Sequence, residues 1–175
     1  MKFNFMLIPY LTIILMAFGL PKNLLKKVDK EIKNTFNIEQ FTMNSVQFPS
    51  DVSSALVSKF GENNLFEIII NENRLGYAYV AKAASKTDDF DYLVLFDSEL
   101  VIVKSKVLLY REDYGGEIGS KRWLKQFVGK TQNDKLRYGD NIAAISGATI
   151  SVRSMTNAVN NLLASIKILH DKNML

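Results

Sequence analysis

The sequence contains no cysteine. Disulfides, thiolate zinc sites, cysteine-ligated iron–sulfur clusters and cysteine nucleophiles are therefore excluded. Histidine occurs once, as His170, close to the C-terminal end of the sequence. A Ser-His-Asp triad and a histidine-rich metal site both lack the residues that they require. We accordingly expect neither ordinary hydrolase chemistry nor a metal site.

Internal repeats, low-complexity tracts and long linkers are also absent from the sequence. The chain has 175 residues, of which 47% are hydrophobic and 23% are charged, so it can bury one core but hardly two. We predict one domain, at residues 21–175.

No strong excess of one charge is present. Lys and Arg number 22 against 18 Asp and Glu, and the resulting formal charge of +4 is spread along the sequence. There is no zinc-finger spacing and no motif that combines aromatic and basic residues. We therefore do not expect nucleic acid to be a partner.

A long apolar run occupies the N-terminus at residues 3–20, directly after Lys2. Its central part is shorter than the roughly 20 residues that span a bilayer comfortably, and Ala17-Phe18-Gly19 offers small residues where signal peptidase cleaves. The sequence predicts that residues 1–20 are a cleaved signal peptide. The alternative is a retained membrane anchor followed by Lys22, Lys26 and Lys27. Either way we expect an exported domain, periplasmic or on the outer face of the cytoplasmic membrane.

The next segment has the periodicity of an amphipathic helix. Apolar residues recur at helical spacing between Leu24 and Phe36, and lysines and acids fill the other face. The basic face is either solvated or in contact with anionic lipid.

Four stretches in the middle of the chain have the composition of strands. Residues 65–83 predict a hairpin with a turn at residues 71–73, and residues 92–96 and 100–110 predict a second pair. Tyr77 and Tyr79 alternate along one of these strands, so we interpret them as packing residues. A short helix is predicted at residues 121–129 and a long one at residues 151–170. Helices packed on an antiparallel sheet predict an α+β fold.

Small residues at positions 142–151 lead directly into the long C-terminal helix. Free N–H groups in the first turn of a helix favour an anion, and Gly147 with Ala148 would let a phosphate come close. The alternative is simple capping of the helix by Ser146, Thr149 or Ser151.

The tetrapeptide Ser146-Gly147-Ala148-Thr149 resembles the flavinylation motif of the FMN-binding domain family, which includes flavin subunits of the Na⁺-translocating NADH:quinone reductase and of the Rnf complex. Other segments resemble the family in order and spacing over about residues 65–165. They are Gly76-Tyr77-Ala78-Tyr79-Val80-Ala81-Lys82-Ala83, Leu93-Val94-Leu95-Phe96-Asp97, Glu112-Asp113-Tyr114-Gly115-Gly116-Glu117-Ile118 and Trp123-Leu124-Lys125-Gln126-Phe127-Val128-Gly129-Lys130.

This resemblance implies that a magnesium-dependent flavin transferase esterifies Thr149 to the phosphate of FMN. It also implies a cofactor-binding role for a set of neighbouring residues: Ser146, Gly147, Ala148, Ile150, Glu112, Tyr114, Gly115, Gly116 and Trp123. Trp123 either stacks beside the flavin ring or pins the short helix to the sheet. Tyr110 and Tyr114 flank the same glycine loop as candidate pocket residues.

The implied function is an extracytoplasmic electron-transfer flavoprotein, free-standing or part of a redox complex. No Gly-x-Gly-x-x-Gly motif is present, so we expect membrane redox proteins or quinol, rather than bound NADH, as donor or acceptor. The family usually has an acidic residue where this sequence has Ala143, and its loop proline is missing before Gly115. The alternatives are a non-covalent or cofactor-free module of the same fold, and a reductase acting on a small acceptor.

Overall fold

The computed structural model describes residues 19–61 and 63–175. The predicted α+β fold is confirmed, since five strands form one antiparallel sheet and helices pack against it. The elements in chain order are α1 (Lys22–Phe36), β1 (Thr42–Ser45), α2 (Ser50–Ala55), β2 (Leu65–Ile70), β3 (Asn73–Ala84), β4 (Asp89–Asp97), β5 (Ile102–Leu109), a 3₁₀ turn (Gly116–Gly119), α3 (Lys121–Leu124), a second 3₁₀ turn (Lys125–Phe127) and α4 (Thr149–Asp171).

The sheet is a simple meander in which the spatial order of the strands is their order in the chain. The predicted hairpin is confirmed as β2 and β3, and its two turn residues, Asn71 and Glu72, both have positive φ angles of 48° and 66°. Two successive positive φ values are typical of the tight turn whose twist matches that of a hairpin. The second predicted pair is confirmed as β4 and β5.

Alternate residues of the central strands pack into two separate clusters, because successive side chains of a strand point to opposite faces. On one face Tyr77 and Tyr79 of β3 pack in the cluster that includes α4, which confirms their interpretation as packing residues. On the other face Ala78 and Val80 pack with residues of α1. The sheet therefore lies between α1 and α4.

Two elements were not predicted, namely β1 and α2. The short predicted helix at residues 121–129 is one turn of α-helix followed by a 3₁₀ turn. Residues 1–18, which make up most of the predicted signal or anchor segment, lie outside the described residues. None of the helices in the described part of the chain combines the length and the apolarity needed to cross a bilayer.

Candidate functional site

The first turn of α4 presents Thr149 to solvent. Ala148, with φ −123° and ψ 23°, is the N-cap residue, and no side chain caps the helix. The capping alternative for Ser146, Thr149 and Ser151 is therefore wrong, because none of their hydroxyls occupies the N-cap position. Thr149 is the first helical residue and is exposed, as are Ser146 and Gly147 before it.

Backbone N–H groups at this helix end are free of protein acceptors. Within the described residues, the N–H groups of Thr149, Ile150 and Ser151 have no hydrogen-bond partner, and the N–H of Val152 is the first to bond back, to Ala148 O at 2.9 Å. The side chain of Ile150 is 51% exposed. Free N–H groups and the helix dipole together favour an anion beside Thr149.

The glycine loop after β5 packs directly against this helix start. Gly115 has a φ of +81°, and a Cβ atom there would lie 2.9 Å from Tyr110 Oη and 3.1 Å from Ala148 Cβ. The first distance is shorter than real Cβ contacts show and the second is tighter than most of them, so glycine at residue 115 favours this close approach of the loop to α4. Gly116, by contrast, has open space around it.

A hydrogen bond ties the end of the sheet to the same helix turn. Tyr110 Oη lies 3.0 Å from Ser151 Oγ, and Ser151 is buried. This bond fixes α4 relative to the sheet. Tyr110 does not line the cleft that lies between α3 and the segment before α4.

A cleft opens between α3 and the segment that precedes α4. It encloses about 640 Å³, within the range of roughly 300–1,000 Å³ that small-molecule sites occupy. Its lining residues are Glu117, Ser120, Arg122, Trp123, Gln126, Ala143, Ala144, Ile145 and Ser146. The cleft thus leads to the Ser146-Gly147-Ala148-Thr149 motif.

Trp123 has one of the two roles that the sequence left open, since it pins the short helix to the core, and it also lines the cleft. Its ring is 95% buried and meets Phe127 edge to face at 5.2 Å between centroids, which pins α3 to the core. Its indole N–H donates to the Ala143 carbonyl oxygen at 2.8 Å, and the residue lines the cleft. A flavin ring in the cleft would therefore contact Trp123.

Ala143 is held through its backbone on both sides. Besides the bond from Trp123 to its carbonyl, its N–H donates to Gln126 Oε1 at 2.7 Å, while Gln126 Nε2 donates to the Trp123 carbonyl at 2.9 Å. These bonds use no side chain of residue 143. The segment is therefore fixed although the acidic residue usual in the family is absent.

The structure brings only some of the predicted site residues together. Trp123 and Ser146 line the cleft, and Gly115 contacts Ala148 at its edge. Tyr114 lies in the same loop but is 83% exposed. Sequence reasoning missed four polar lining residues because no motif assigned them a role: Glu117, Ser120, Arg122 and Gln126.

Glu112 binds the loop between β3 and β4. Its Oε1 accepts a hydrogen bond from the Thr87 backbone N–H at 2.7 Å. The Ser85 hydroxyl and then the Thr87 N–H lower the pKa of Glu112 below its ordinary value of 4.5, because they stabilise the ionised form. The Ser85 hydroxyl has one proton, and Ser85 Oγ donates it to Asp88 O at 2.6 Å, so the Thr87 contact to Glu112 is the firmer one.

We expect Glu112→Gln to make stability less sensitive to acid. Because the folded pKa lies below the unfolded one, this contribution is fully present above about pH 4.5 and is lost as the pH falls through the folded pKa. Thermal unfolding between about pH 6 and pH 3 should therefore show a steeper acid loss for the wild type. Asp113→Asn, at the exposed neighbouring residue, is the control and should follow the wild type. Identical slopes for Glu112→Gln and the wild type would contradict the assignment.

Residues 86–164 match the family model of the FMN-binding domain. No curated protein is significantly similar to the chain. The matched range includes β4, β5, the glycine loop, the cleft and the first sixteen residues of α4. Cleft size, a buried indole, a cationic side chain and a helix start with free N–H groups all suit FMN, which is a flat aromatic ring with a phosphate. The FMN-binding domain that the motifs predicted is therefore detected at residues 86–164, and this match indicates a flavin-binding role for that part of the chain.

Proposed function

We propose that Thr149 Oγ1 carries FMN through a phosphoester bond, and that the domain transfers electrons outside the cytoplasm in a membrane-associated redox chain. The observation that supports this most directly is the position of Thr149. It is an exposed hydroxyl at the first helical residue, three residues after Ser146, which lines a cleft of a size suited to FMN. The matched family is one that binds FMN.

Thr149 is accessible to a modifying enzyme and has no structural task that modification would disrupt. In the described part of the structure its hydroxyl makes no hydrogen bond, and Ala148 occupies the N-cap. A phosphodiester at Thr149 keeps one negative charge, and the α4 dipole with its free N–H groups would stabilise it by roughly 0.3–1 kcal/mol. The attachment residue and the anion site therefore coincide.

The cleft residues suit the rest of the cofactor. Trp123 offers an aromatic wall, and Arg122 offers a cation that would offset part of the negative charge of Glu117 and the ester phosphate. FMN, when bound, supplies the electron chemistry, while the protein holds the ring and limits access of water. Covalent attachment has a clear use outside the cytoplasm, where lost flavin is not readily replaced.

Maturation in this proposal requires a flavin transferase, and the redox partners are membrane redox proteins or quinol. The second candidate is a module of the same fold that binds FMN without a covalent bond, or binds none. Ala143 is the observation that favours it, since the family usually has an acidic residue there. The two backbone hydrogen bonds of Ala143 keep the local conformation independent of that missing side chain, so its absence does not by itself exclude the covalent carrier.

The test is the intact mass of the denatured chain after co-expression with a flavin transferase. We expect the wild type to gain one FMN less one water, and Thr149→Ala to gain nothing. Thr149→Ser retains a hydroxyl at the same position and should be labelled, whereas Ser146→Ala removes a nearby hydroxyl of the same motif and should still be labelled.

Each variant must also be compared with the wild type in thermal unfolding. Thr149 neither caps the helix nor is buried, so Thr149→Ala should change the unfolding temperature by only a few degrees. A wild type that stays unlabelled but yellow would favour non-covalent FMN. A wild type that is both colourless and unlabelled would contradict flavin binding and favour the cofactor-free module.

A further inference from the structure

A second groove lies on the opposite side of α3 from the cleft. It encloses about 770 Å³ between α1, β5 and residues 119–128. Five lysines and one glutamate line it, together with the apolar residues Val103, Leu124 and Val128: the charged residues are Lys30, Lys104, Lys106, Lys121, Lys125 and Glu31. We call it the lysine groove.

The lysine groove accounts for the whole charge excess of the protein. The chain has 22 basic and 18 acidic residues and a formal charge of +4. Removing the five lysines and one glutamate of the groove leaves equal numbers of basic and acidic residues, so the remainder has no formal net charge. Charge that is spread along the sequence is therefore concentrated by the fold in one concave surface.

Most of this charge is not neutralised within the protein. Glu31 lies 3.7 Å from both Lys104 and Lys106, so one carboxylate serves two ammonium groups. Lys30, Lys121 and Lys125 are exposed and form no ion pair with any described residue. Several like charges held close together with a single counter-charge repel one another, and a partner of opposite charge relieves that repulsion.

The lysine groove and the cleft share one wall. Trp123 and Arg122 face the cleft, while Lys121, Leu124 and Lys125 line the groove. A helix with its side chains is only about 10–12 Å in diameter. A molecule seated in the groove would therefore lie within about one helix diameter of a flavin in the cleft.

We propose that the lysine groove is the docking surface for an acidic redox protein that exchanges electrons with the flavin, an inference that rests on the proposed electron-transfer function. Electron-transfer complexes are small and weak, and complementary charge guides their formation. Apolar side chains beside a charged rim are the usual composition of such a surface. The groove is concave, which suits a protruding acidic segment better than the plane of lipid head groups.

The test compares two triple variants of the full-length chain with equal charge change. Lys30→Glu, Lys121→Glu and Lys125→Glu reverse the exposed groove lysines. Lys86→Glu, Lys135→Glu and Lys167→Glu form the control, since these exposed lysines do not line the groove. Circular dichroism and FMN absorbance establish that both variants fold and hold the same amount of flavin as the wild type.

The probe is fully reduced flavodoxin, an acidic electron carrier, mixed anaerobically with each protein. One electron leaves the probe as the flavin of the domain gains it, and absorbance gives the second-order rate constant. We expect the groove variant to react about tenfold more slowly or worse at low ionic strength, with the difference vanishing at high salt. The control variant should stay within about threefold of the wild type, because its three lysines do not line the docking surface.

Two further measurements distinguish a failure of the groove proposal from a failure of the proposed electron-transfer function. Light-driven reduction, with uncharged 5-deazariboflavin as photosensitiser and EDTA as the electron donor that is oxidised, shows whether the flavin is redox-active without docking. Loss of that reaction in the wild type contradicts the proposed function and not the groove. Titration of fluorescent flavodoxin against the protein measures docking whether or not FMN is bound. Equal binding and equal rates for the two triple variants would overturn the groove proposal.

A membrane surface is the competing occupant. Vesicles of phosphatidylglycerol and phosphatidylcholine, compared with phosphatidylcholine alone, report binding that depends on anionic lipid. If the groove variant loses that binding but still reacts with flavodoxin at the wild-type rate, the groove binds lipid and the docking proposal is wrong. We expect the reverse pattern.

Discussion

Trp123→Ala should lower the free energy of unfolding by about 3–5 kcal/mol, as truncation of a buried aromatic residue usually does. The ring is 95% buried against Phe127, so its removal opens a cavity beneath α3. The change also leaves the Ala143 carbonyl without its donor. For a domain of this size, such a loss corresponds to a decrease of roughly 6–20 °C in the unfolding temperature.

The same variant should bind FMN roughly tenfold more weakly, measured by fluorescence titration of the apoprotein at low temperature, because loss of an aromatic stacking contact costs about 1–3 kcal/mol. Trp123→Phe is the control for the hydrogen bond. It retains an aromatic ring but not the indole N–H, so it should lose less stability than Trp123→Ala. Unfolding temperatures of Trp123→Ala and the wild type that agree within about 2 °C would show that the indole does not hold α3.

Gly115→Ala should disrupt both the glycine loop and the start of α4. A φ of +81° costs a residue with a side chain about 1–2 kcal/mol. The added Cβ would also lie 2.9 Å from Tyr110 Oη and 3.1 Å from Ala148 Cβ. Relief of these contacts requires a shift of the Tyr110 side chain and of Ala148, the residue before Thr149, so we expect lower stability together with reduced labelling by the flavin transferase.

Gly129→Ala separates the backbone cost of a positive φ from the steric cost of the close approach. Gly129 has the same φ of +81° but nothing within 4 Å of the added Cβ. It should show only the backbone cost of about 1–2 kcal/mol and normal labelling. Denaturant unfolding and the yield of flavin-bearing protein measure the two effects. Equal losses for the two variants would mean that the close approach of residue 115 to α4 has no energetic consequence.

The predictable part of the fold came from strong periodicity. Residues 65–83 alternate apolar β-branched and aromatic side chains around a turn, and β2 and β3 form there with a tight turn at Asn71 and Glu72. The apolar stripe of α4 likewise gave its position to within two residues at the N-terminus and one at the C-terminus. In these segments the local pattern and the tertiary contacts favour the same structure.

The elements that the sequence did not reveal depend on their neighbours. β1 is only four residues long, Thr-Met-Asn-Ser, and it forms because Met43 and Asn44 pair with Ile68 and Glu67 of β2. α2 is six residues long and buries only Val52. Such short polar segments have no internal period that distinguishes them from a loop.

The site was predictable from motifs only in part. A sequence motif indicates that Gly115 and Ala148 matter, but it does not show that they touch across more than thirty residues of chain. The hydrogen bonds that fix Ala143 could not be predicted from a motif either, because they join the backbone of that residue to the side chains of Trp123 and Gln126. Arg122 has no distinctive spacing, and its place beside the cleft follows from the one-turn length of α3.

The meander order of the sheet has a consequence for the timing of maturation. Strands that are neighbours in the chain can form hairpins early, since they close short loops. Much of one face of that sheet nevertheless stays uncovered until α4 docks, and α4 is the last element of the described structure. Because most helical stability in proteins comes from tertiary packing, docking also stabilises the first turn at Thr149. Attachment of a flavin at Thr149 would therefore mark chains that have completed folding, and a chain arrested before its final helix docks would remain unmodified.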